Sequence, residues 1–402
     1  MKVFVLGAGV GGLAFASLGS DLDISVIDKN SEAGRKLLAT GNGRCNFTNQ
    51  NFGMDFYQSD NKNFPKKALE NFTNKDLIDY FYKLGIDSTS LPSGRTYPAT
   101  MSAKTVRDIL YLEARKNASF IFDEEIKDID LRKKLLISET NKYKYDILVI
   151  ASGGITLPRS GSDGSVFKIL KEKIPVTKLT YAITNYKTRE KFSKKSKGTK
   201  VTAKASLFVD NKFIKASIDD LIFQDYGLTG TAIFNISNEI SLALREGKEA
   251  DVRIDFFPTY SKKDLGKRLG DLFERNPHRK IKEILLGLVN EKIISDILKR
   301  SSIAYDKKAN KINNGDMDTL LRNLKAMKFT IDDIHDKTNA QVSLGGFDTR
   351  FVDKATMKSR LYDDVYIIGE ALDVSGSCGG YNIQWAFSSA IAAVKSIRSL
   401  NV

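Results

Sequence analysis

The residues best suited to chemistry form a glycine-rich string near the start of the chain. Segment 7–12 (GAGVGG) follows the apolar run 2–6 (KVFVL) and precedes a helical pattern. At this spacing the first glycine permits a tight turn, the second lets a pyrophosphate approach, and the third lets helix and strand pack closely. Asp28 ends the next apolar run, where a carboxylate accepts hydrogen bonds from ribose hydroxyls. The string predicts a dinucleotide-binding turn.

A second loop, rich in glycine, asparagine and basic residues, comes directly after Asp28. Segment 30–46 reads NSEAGRKLLATGNGRCN. NAD alone does not need such a loop, whereas FAD is larger and its ribityl chain and flavin ring can extend back over it. Arg35 and Lys36 can donate charge-assisted hydrogen bonds to a diphosphate. The alternative for these two residues is a solvated helix end.

A third motif lies near the other end of the chain, where segment 365–383 reads VYIIGEALDVSGSCGGYNI. The apolar run predicts a strand, and Glu370 directly after it brings a carboxylate near the ribityl or pyrophosphate region. Gly379 and Gly380 then begin a long helix, whose N-terminus can stabilise negative charge on a reduced flavin. Taken alone, these two glycines are also typical of an ordinary helix start.

Few other residues are candidates for catalysis, and none is assigned a catalytic role. Both histidines, His278 and His335, lie outside the three motifs. Cys45 and Cys378 lie inside two of them, but no C-x-x-C spacing lowers a thiol pKa, so buried packing is favoured over a redox pair. Tyr381 could donate a proton, although an aromatic residue at a helix start usually packs. A bound flavin would itself carry the electron transfer.

The elements that position these motifs are typical of an α/β protein. Apolar runs at 2–6, 24–27, 146–150 and 364–368 predict buried strands closed by glycine or acid, as in a Rossmann-type sheet. Segments 120–130 and 134–139 are also predicted as strands. From about residue 181 the pattern changes to short β-type runs, and from 262 to about 329 to charged helices. An α/β domain is therefore interrupted by an insertion of roughly 150 residues, a usual domain size.

Two long strings carry a resemblance to a known family. Segments 34–49 (GRKLLATGNGRCNFTN) and 369–389 (GEALDVSGSCGGYNIQWAFSS) are similar to the signatures of the BaiN/YhiN family of NAD(P)/FAD-dependent flavoprotein oxidoreductases. The resemblance extends over nearly the whole chain. It implies an FAD-binding domain of the two-dinucleotide-binding type and NAD(P)H as electron donor. No second G-x-G-x-x-G follows residue 12, so a separate NAD(P)H-binding domain is not expected.

The resemblance also implies how the domains are arranged. Residues 1–180 and 338–402 would form the FAD-binding domain. Residues 181–337 would form the inserted domain, with a β-barrel part at about 181–260 and a helical part at about 261–337.

The cofactor-binding residues combine those that the motifs indicate with those that the resemblance implies. No metal ligand is expected, because cysteine and histidine show no metal-binding spacing. The expected FAD-binding residues are Gly7, Gly9, Val10, Gly12, Asp28, Lys29, Arg35, Lys36, Gly41, Asn42, Gly43, Arg44, Ile126, Gly153, Gly369, Glu370, Gly380, Tyr381, Asn382 and Ile383.

The positive net charge of the chain is compatible with more than one kind of partner. The net charge is +14, and segment 187–200 holds seven lysines and arginines against one glutamate. The favoured interpretation of this segment is a mobile basic loop. The favoured function is a reductase that passes hydride from NAD(P)H through FAD to a small organic acceptor, with a conjugated C=C bond considered. The alternatives are a flavoprotein that acts on tRNA and a non-catalytic flavin-binding protein.

The remaining features bound the location of the protein. The first predicted strand begins at Lys2, leaving no room for a signal peptide, and no apolar run reaches the roughly 18 residues of a membrane helix. Two distant cysteines give no disulfide framework. We therefore expect a cytoplasmic protein without a membrane partner. The sequence does not indicate an oligomeric state.

Overall fold

The computed structural model describes residues 1–400 and divides the chain into two compact units. The first unit consists of Met1–Ala182 together with the chain from Thr338 onward, and the second is Ile183–Lys337. Within residues 1–400, no helix is both long and apolar enough to cross a membrane.

The centre of the first unit is a parallel sheet of five strands, as the apolar runs predict. Val5 in the first strand lies between Val26 on one side and Val149 on the other. These strands are almost wholly apolar because both faces of such a sheet are covered by helices. The strand order is Val365–Ile367, Ile147–Ile150, Lys2–Leu6, Asp23–Ile27 and Ala118–Ile121. Strands from both ends of the chain therefore share one sheet.

Helices complete the first unit. The first helix, Val10–Leu18, packs against Ala103–Asn117 and against the C-terminal helix Tyr381–Arg398. The C-terminal helix is buried on nearly every face, and its Trp385 donates from Nε1 to the carbonyl of Gly369 at 3.0 Å. The other helices are Arg35–Leu38, Lys66–Asn71, Asn74–Lys83 and Ser165–Leu170.

The prediction of one continuous strand at 120–130 is wrong for the residues in its middle. The sheet strand ends at Ile121, and Asp123 adopts a left-handed φ of 57°. The N–H of Asp123 donates to the carbonyl of Asn30, and that of Glu124 to the carbonyl of Asp28. These bonds turn the chain over the end of the neighbouring strand, so pairing resumes only at Asp128–Asp130.

Small antiparallel sheets surround the main sheet. Thr180–Ala182 pairs with Val342–Leu344, which keeps the chain on both sides of the insertion in the first unit. The others join Asp128–Asp130, Leu135–Ile137 and Lys142–Lys144; Thr48–Asn49, Arg95–Pro98 and Ser88–Ser90; and Tyr57–Gln58 with Ser375–Gly376.

The second unit contains a closed antiparallel barrel and a group of helices. Around the barrel the strands are Tyr186–Thr188, Gly227–Thr229, Lys212–Phe223, Lys200–Val209, Ala250–Asp255 and Met327–Ile334, which pairs back to the first. The helices are Thr231–Phe234, Ser237–Arg245, Lys262–Arg275, Ile281–Leu285, Glu291–Arg300 and Asn314–Ala326.

The predicted division of the insertion into a β part and a helical part needs a correction. Met327–Ile334 lies in the range 261–337 that was predicted to be helical, yet it is the strand that closes the barrel. The strand buries Met327 and the three consecutive residues Phe329, Thr330 and Ile331, so it lacks a strict alternation, and it follows directly on a helix. Its pairing partners lie far away in sequence, so local periodicity could not reveal the closure.

Candidate functional site

The glycine string forms a tight turn between the first strand and the first helix. Gly7 has a φ of +110°, and a Cβ there would lie 2.6 Å from the carbonyl oxygen of Ala151. A Cβ on Gly12 would lie only 1.9 Å from the carbonyl oxygen of Gly7. Both glycines are therefore required by packing within the protein, as their positions in the motif predict.

Gly9 differs from the other two glycines because nothing in the protein touches the position of its missing side chain. Its φ is −72°, and a Cβ built there has no heavy atom within 4 Å. The open space lies at the N-terminus of the helix Val10–Leu18, whose first N–H groups attract anions. A cradle that only glycine leaves open, at a helix N-terminus, fits the diphosphate of a dinucleotide.

Asp28 is held firmly at the end of the second strand. Its Oδ2 accepts from the backbone N–H of Ala8 at 2.6 Å, and its Oδ1 accepts from the backbone N–H and the side-chain amide of Asn30, both at 2.8 Å. An ionised carboxylate can accept about four hydrogen bonds, so capacity remains for a ribose hydroxyl. Asn30, the first residue of the second motif, orients this carboxylate.

An open pocket lies beside the turn. Five of the predicted cofactor residues line it, together with apolar side chains such as Phe167: Gly7, Asp28, Lys29, Ile126 and Gly153. Lys29 pairs with Asp163 at 2.7 Å. Partial burial opposes ionisation of Asp163, but hydrogen bonds from Lys29 and Ser165 hold its pKa below the usual value. Its position beside the glycine turn and Asp28 fits the adenosine part of a dinucleotide.

Lys36 and Glu370, separated by more than 300 residues in sequence, form an ion pair. Their Nζ and Oε2 atoms lie 2.6 Å apart, and both side chains are largely shielded from solvent. Nζ of Lys36 also donates to Thr156 at 2.7 Å, while Oε1 of Glu370 accepts from the backbone N–H of Ser343 at 2.8 Å. The ammonium group predicted to meet a diphosphate therefore pairs with a predicted cofactor carboxylate. Thr156 and Ser343 gave no local signal in the sequence.

The glycine-rich loop that follows Lys36 has three consecutive residues with positive φ. Gly41, Asn42 and Gly43 all have positive φ, and Arg44 donates from Nε to the carbonyl of Gly41 at 3.1 Å. Arg35 is exposed and donates to the side-chain oxygen of Asn30 at 3.0 Å. Of the two adjacent basic residues, Arg35 thus stays near the Asp28 end of the site.

The start of the C-terminal helix is tightly built. Gly380 has a φ of 95°, and a Cβ there would lie 2.5 Å from the carbonyl oxygen of Thr48. The side-chain amide of Asn382 both accepts from and donates to the backbone of Gly376, at 2.8 and 2.9 Å. Ile383 is buried. The side chains of Asn382 and Ile383 are thus occupied by contacts within the protein. Contacts of the loop 376–380 with a cofactor would therefore come from its backbone.

Tyr381 packs rather than acts as a proton donor. Its ring stacks on Phe56 with the centroids 4.5 Å apart, and its hydroxyl donates to the carbonyl of Asn51 at 2.8 Å. Burial raises the pKa of this hydroxyl well above its usual value. Because the proton is already committed to a backbone carbonyl, Tyr381 stabilises the helix start.

Cys45, the buried cysteine in the glycine-rich loop after Lys36, is poorly suited to redox chemistry. Cys45 is fully buried, and burial raises the pKa of its thiol to about 12. A thiol needs to ionise before it can attack a disulfide or a flavin. At neutral pH Cys45 stays protonated, which favours the packing interpretation.

Five polar side-chain atoms in the described part of the first unit are buried without a hydrogen-bond partner, and two of them lie in the cofactor motifs. These two are Oδ1 of Asn46, which ends the second motif, and Oγ of Ser375, which precedes the C-terminal helix. Neither has a hydrogen-bond partner among the first 400 residues. Buried polar atoms are nearly always satisfied, so orphans in two cofactor motifs fit a bound polar group.

A protein-family model that matches almost the whole chain shows the family. The model of the HI0933-like protein Rossmann domain matches residues 1–396. The chain belongs to this family. The resemblance that the two long strings indicated is confirmed.

The curated relatives of this chain include a reductase and two synthases. The chain is 29% identical over 400 residues to a 3-dehydro-bile acid delta(4,6)-reductase of Clostridium scindens, and the alignment covers 98% of each protein. It is 27% identical to a ribosomal RNA dihydrouridine synthase of Haemophilus influenzae and 28% identical to one of Escherichia coli, each over 98% of this chain and 97% of the relative. Membership of this family, with its Rossmann-type sheet, supports an FAD-dependent oxidoreductase.

Proposed function

We propose that this protein reduces a C=C bond conjugated with a carbonyl in a small organic acceptor, with NAD(P)H as the electron donor. The observation that carries the proposal is the open cradle at Gly9, which fits a dinucleotide diphosphate at a helix N-terminus. Bound FAD would supply the hydride chemistry.

The names of the relatives support this class of reaction. One is named as a reductase acting at delta(4,6) of a 3-dehydro bile acid, and the others as synthases of dihydrouridine. A double bond that begins beside a 3-oxo group and the C5=C6 bond of uracil are both conjugated with a carbonyl. A nucleophilic hydride adds readily to such bonds because the carbonyl accepts the displaced charge.

The residues of this chain would bind and orient rather than take part in bond making. Gly7 and Gly12 shape the turn, and Asp28 would accept a ribose hydroxyl. Lys36 and Glu370 would lie beside the diphosphate and ribityl part of the cofactor, where the ammonium and carboxylate charges neutralise each other. The N-terminus of the helix Tyr381–Arg398 would stabilise negative charge on a reduced flavin.

A second candidate acceptor is a uracil base in RNA. The specific observations that favour it are the rRNA-related names of two relatives and the net charge of +14. RNA binding is dominated by phosphate contacts, so a basic protein has the necessary charge.

Anaerobic spectroscopy tests the proposal. The purified protein should release FAD, and not FMN, on denaturation. NADH or NADPH should bleach the flavin absorbance, and adding a 4-en-3-one steroid or another conjugated enone should restore it with formation of the saturated ketone. Two findings would each reject the proposal: flavin that neither nicotinamide reduces, or reduced flavin that only dioxygen reoxidises across a panel of enones and uracil-containing RNA.

A further inference from the structure

The lysine-rich segment 187–200 of the second unit is folded down rather than mobile, contrary to the prediction. Its ends lie in the barrel strands Tyr186–Thr188 and Lys200–Val209. Between them Phe192 is buried, and its ring stacks on Phe223 with the centroids 4.4 Å apart. A buried aromatic side chain in mid-segment fixes the backbone on both sides of it.

Hydrogen bonds to Asp296 fix the next part of the segment. The carboxylate of Asp296 accepts from the backbone N–H and the hydroxyl of Ser193, each at 2.9 Å, and from the hydroxyl of Ser196. Asp296 is itself buried in the helix Glu291–Arg300. The basic segment is thus tied to a helix by several bonds to one carboxylate.

Glu190, the single acidic residue of the segment, has its carboxylate bonded to a barrel strand. The carboxylate of Glu190 accepts from the backbone N–H of Thr330 at 2.6 Å and from its hydroxyl at 3.1 Å. Both oxygens are therefore occupied by the strand Met327–Ile334. Glu190 does not neutralise the lysines beside it.

Three lysines of the segment remain exposed and unpaired. Lys191, Lys194 and Lys195 are exposed, and none of them forms a salt bridge in the part of the chain that the structure describes. In contrast, Lys197 pairs with Asp225 and Lys200 with Asp220, each at 2.8 Å. We call Lys191, Lys194 and Lys195 the lysine surface. Their charges are close in sequence on a backbone that is already ordered.

A pair of stacked aromatic rings lies next to this segment. The rings of Tyr226 and His335 are 3.4 Å apart and nearly parallel, and both residues are at least partly exposed. The backbone carbonyl of Tyr226 accepts from the N–H of Thr188 at 3.0 Å, and the Asp225 beside it is neutralised by Lys197. Unpaired bases stack on exposed planar rings, and the ion pair of Lys197 with Asp225 ties the basic segment to the residue next to Tyr226.

We propose that the lysine surface and the Tyr226–His335 pair form a docking surface for single-stranded RNA. The phosphates would lie along Lys191, Lys194 and Lys195, and an unpaired base would stack on the rings. The inference rests on the second acceptor of the proposed function, a uracil base in RNA. An anionic lipid surface would need the charges but not the stacked rings, so the structure favours RNA.

A charge-removal variant tests the surface, with a matched control elsewhere. K191Q/K194Q/K195Q removes the three exposed charges, and K62Q/K66Q/K67Q removes three exposed charges from the first unit. Binding of a labelled, unstructured uridine-rich RNA is followed by fluorescence anisotropy between 50 and 300 mM salt. Losing three phosphate contacts should lower the slope of log affinity against log salt by about 2, and the affinity at 0.1 M salt by roughly 100-fold. The control should change the affinity far less.

Two further variants separate stacking and order from charge. Y226L should weaken RNA binding roughly 5- to 150-fold without changing the salt slope, because stacking involves no counterions. D296N raises the net charge by one but releases the segment, so it should weaken RNA binding and speed amide hydrogen exchange in 191–199. Tighter binding by D296N would mean that only net charge matters, and would reject the ordered surface.

Other outcomes would also overturn the proposal. These are no RNA binding by the wild type at 50 mM salt, equal losses in the two triple variants, or stronger binding to phosphatidylserine vesicles. Reduction of the bound flavin by NAD(P)H and turnover of a small enone are measured on the same variants. Intact reduction without RNA binding rejects only the docking surface, whereas loss of reduction in the wild type rejects the proposed function.

Discussion

Replacing Gly9 by valine should separate cofactor binding from folding. The backbone at Gly9 has a φ of −72° and a ψ of −172°, which valine adopts readily. No heavy atom lies within 4 Å of the new Cβ, so the side chain enters the cradle and not the protein core. G9V should therefore fold as an apoprotein but lose FAD binding, because its methyl groups occupy the space for the diphosphate.

The size of the effect can be judged against Gly12, which lies three residues further on. An alanine Cβ at Gly12 would meet the carbonyl oxygen of Gly7 at 1.9 Å, far inside van der Waals contact. G12A should therefore destabilise the apoprotein by at least about 1–3 kcal/mol, as overpacking does. For G9V the free energy of unfolding of the apoprotein should change by less than about 1 kcal/mol.

Flavin occupancy and thermal unfolding measure the two effects separately. With FAD at 100 times its Kd, the wild type should gain about 2.7 kcal/mol of stability. In a unit of this size that gain corresponds to a rise in Tm of roughly 5–10 °C. G9V should show no rise and no yellow colour after reconstitution. If G9V bound FAD at wild-type occupancy, or if it unfolded like G12A, the assignment of the cradle would be refuted.

Three further predictions concern the rest of the site. D28N should weaken FAD binding roughly 10- to 150-fold in equilibrium dialysis, because one charged acceptor is lost; unchanged affinity would remove Asp28 from the site. K36M and E370Q should be coupled by about 0.5–3 kcal/mol in a double-mutant cycle of urea unfolding, whereas additive losses would mean that the ion pair contributes nothing. Cys45 has a folded pKa raised to about 12 from 9.0, so its contribution to stability is complete below pH 9 and is lost as the pH rises towards 12. Between pH 8 and 10.5 the wild type should lose about 2 kcal/mol more than C45A, and equal losses would contradict the buried thiol.

The sequence by itself determined the parts of this protein that depend on neighbouring residues. Turn geometry needs glycine at particular offsets, so the segment 7–12 was sufficient to predict the tight turn, and Gly7 adopts its φ of +110°. Continuous apolar runs predicted the parallel strands, including Ile147–Ile150 and Val365–Ile367. These features are local, because a strand buried on both faces and a turn of positive φ each restrict residue types over a few positions.

Only the tertiary structure decided which distant groups meet. The ion pair of Lys36 with Glu370 joins residues 334 positions apart, and no local pattern distinguishes it from two separate diphosphate ligands. The closing strand Met327–Ile334 and the anchoring of the lysine segment by Asp296 are equally non-local. The physical reason is that a hydrogen bond or an ion pair depends on the distance between atoms in space. Composition and periodicity restrict only the element that carries each residue, and the packing of those elements brings the partners together.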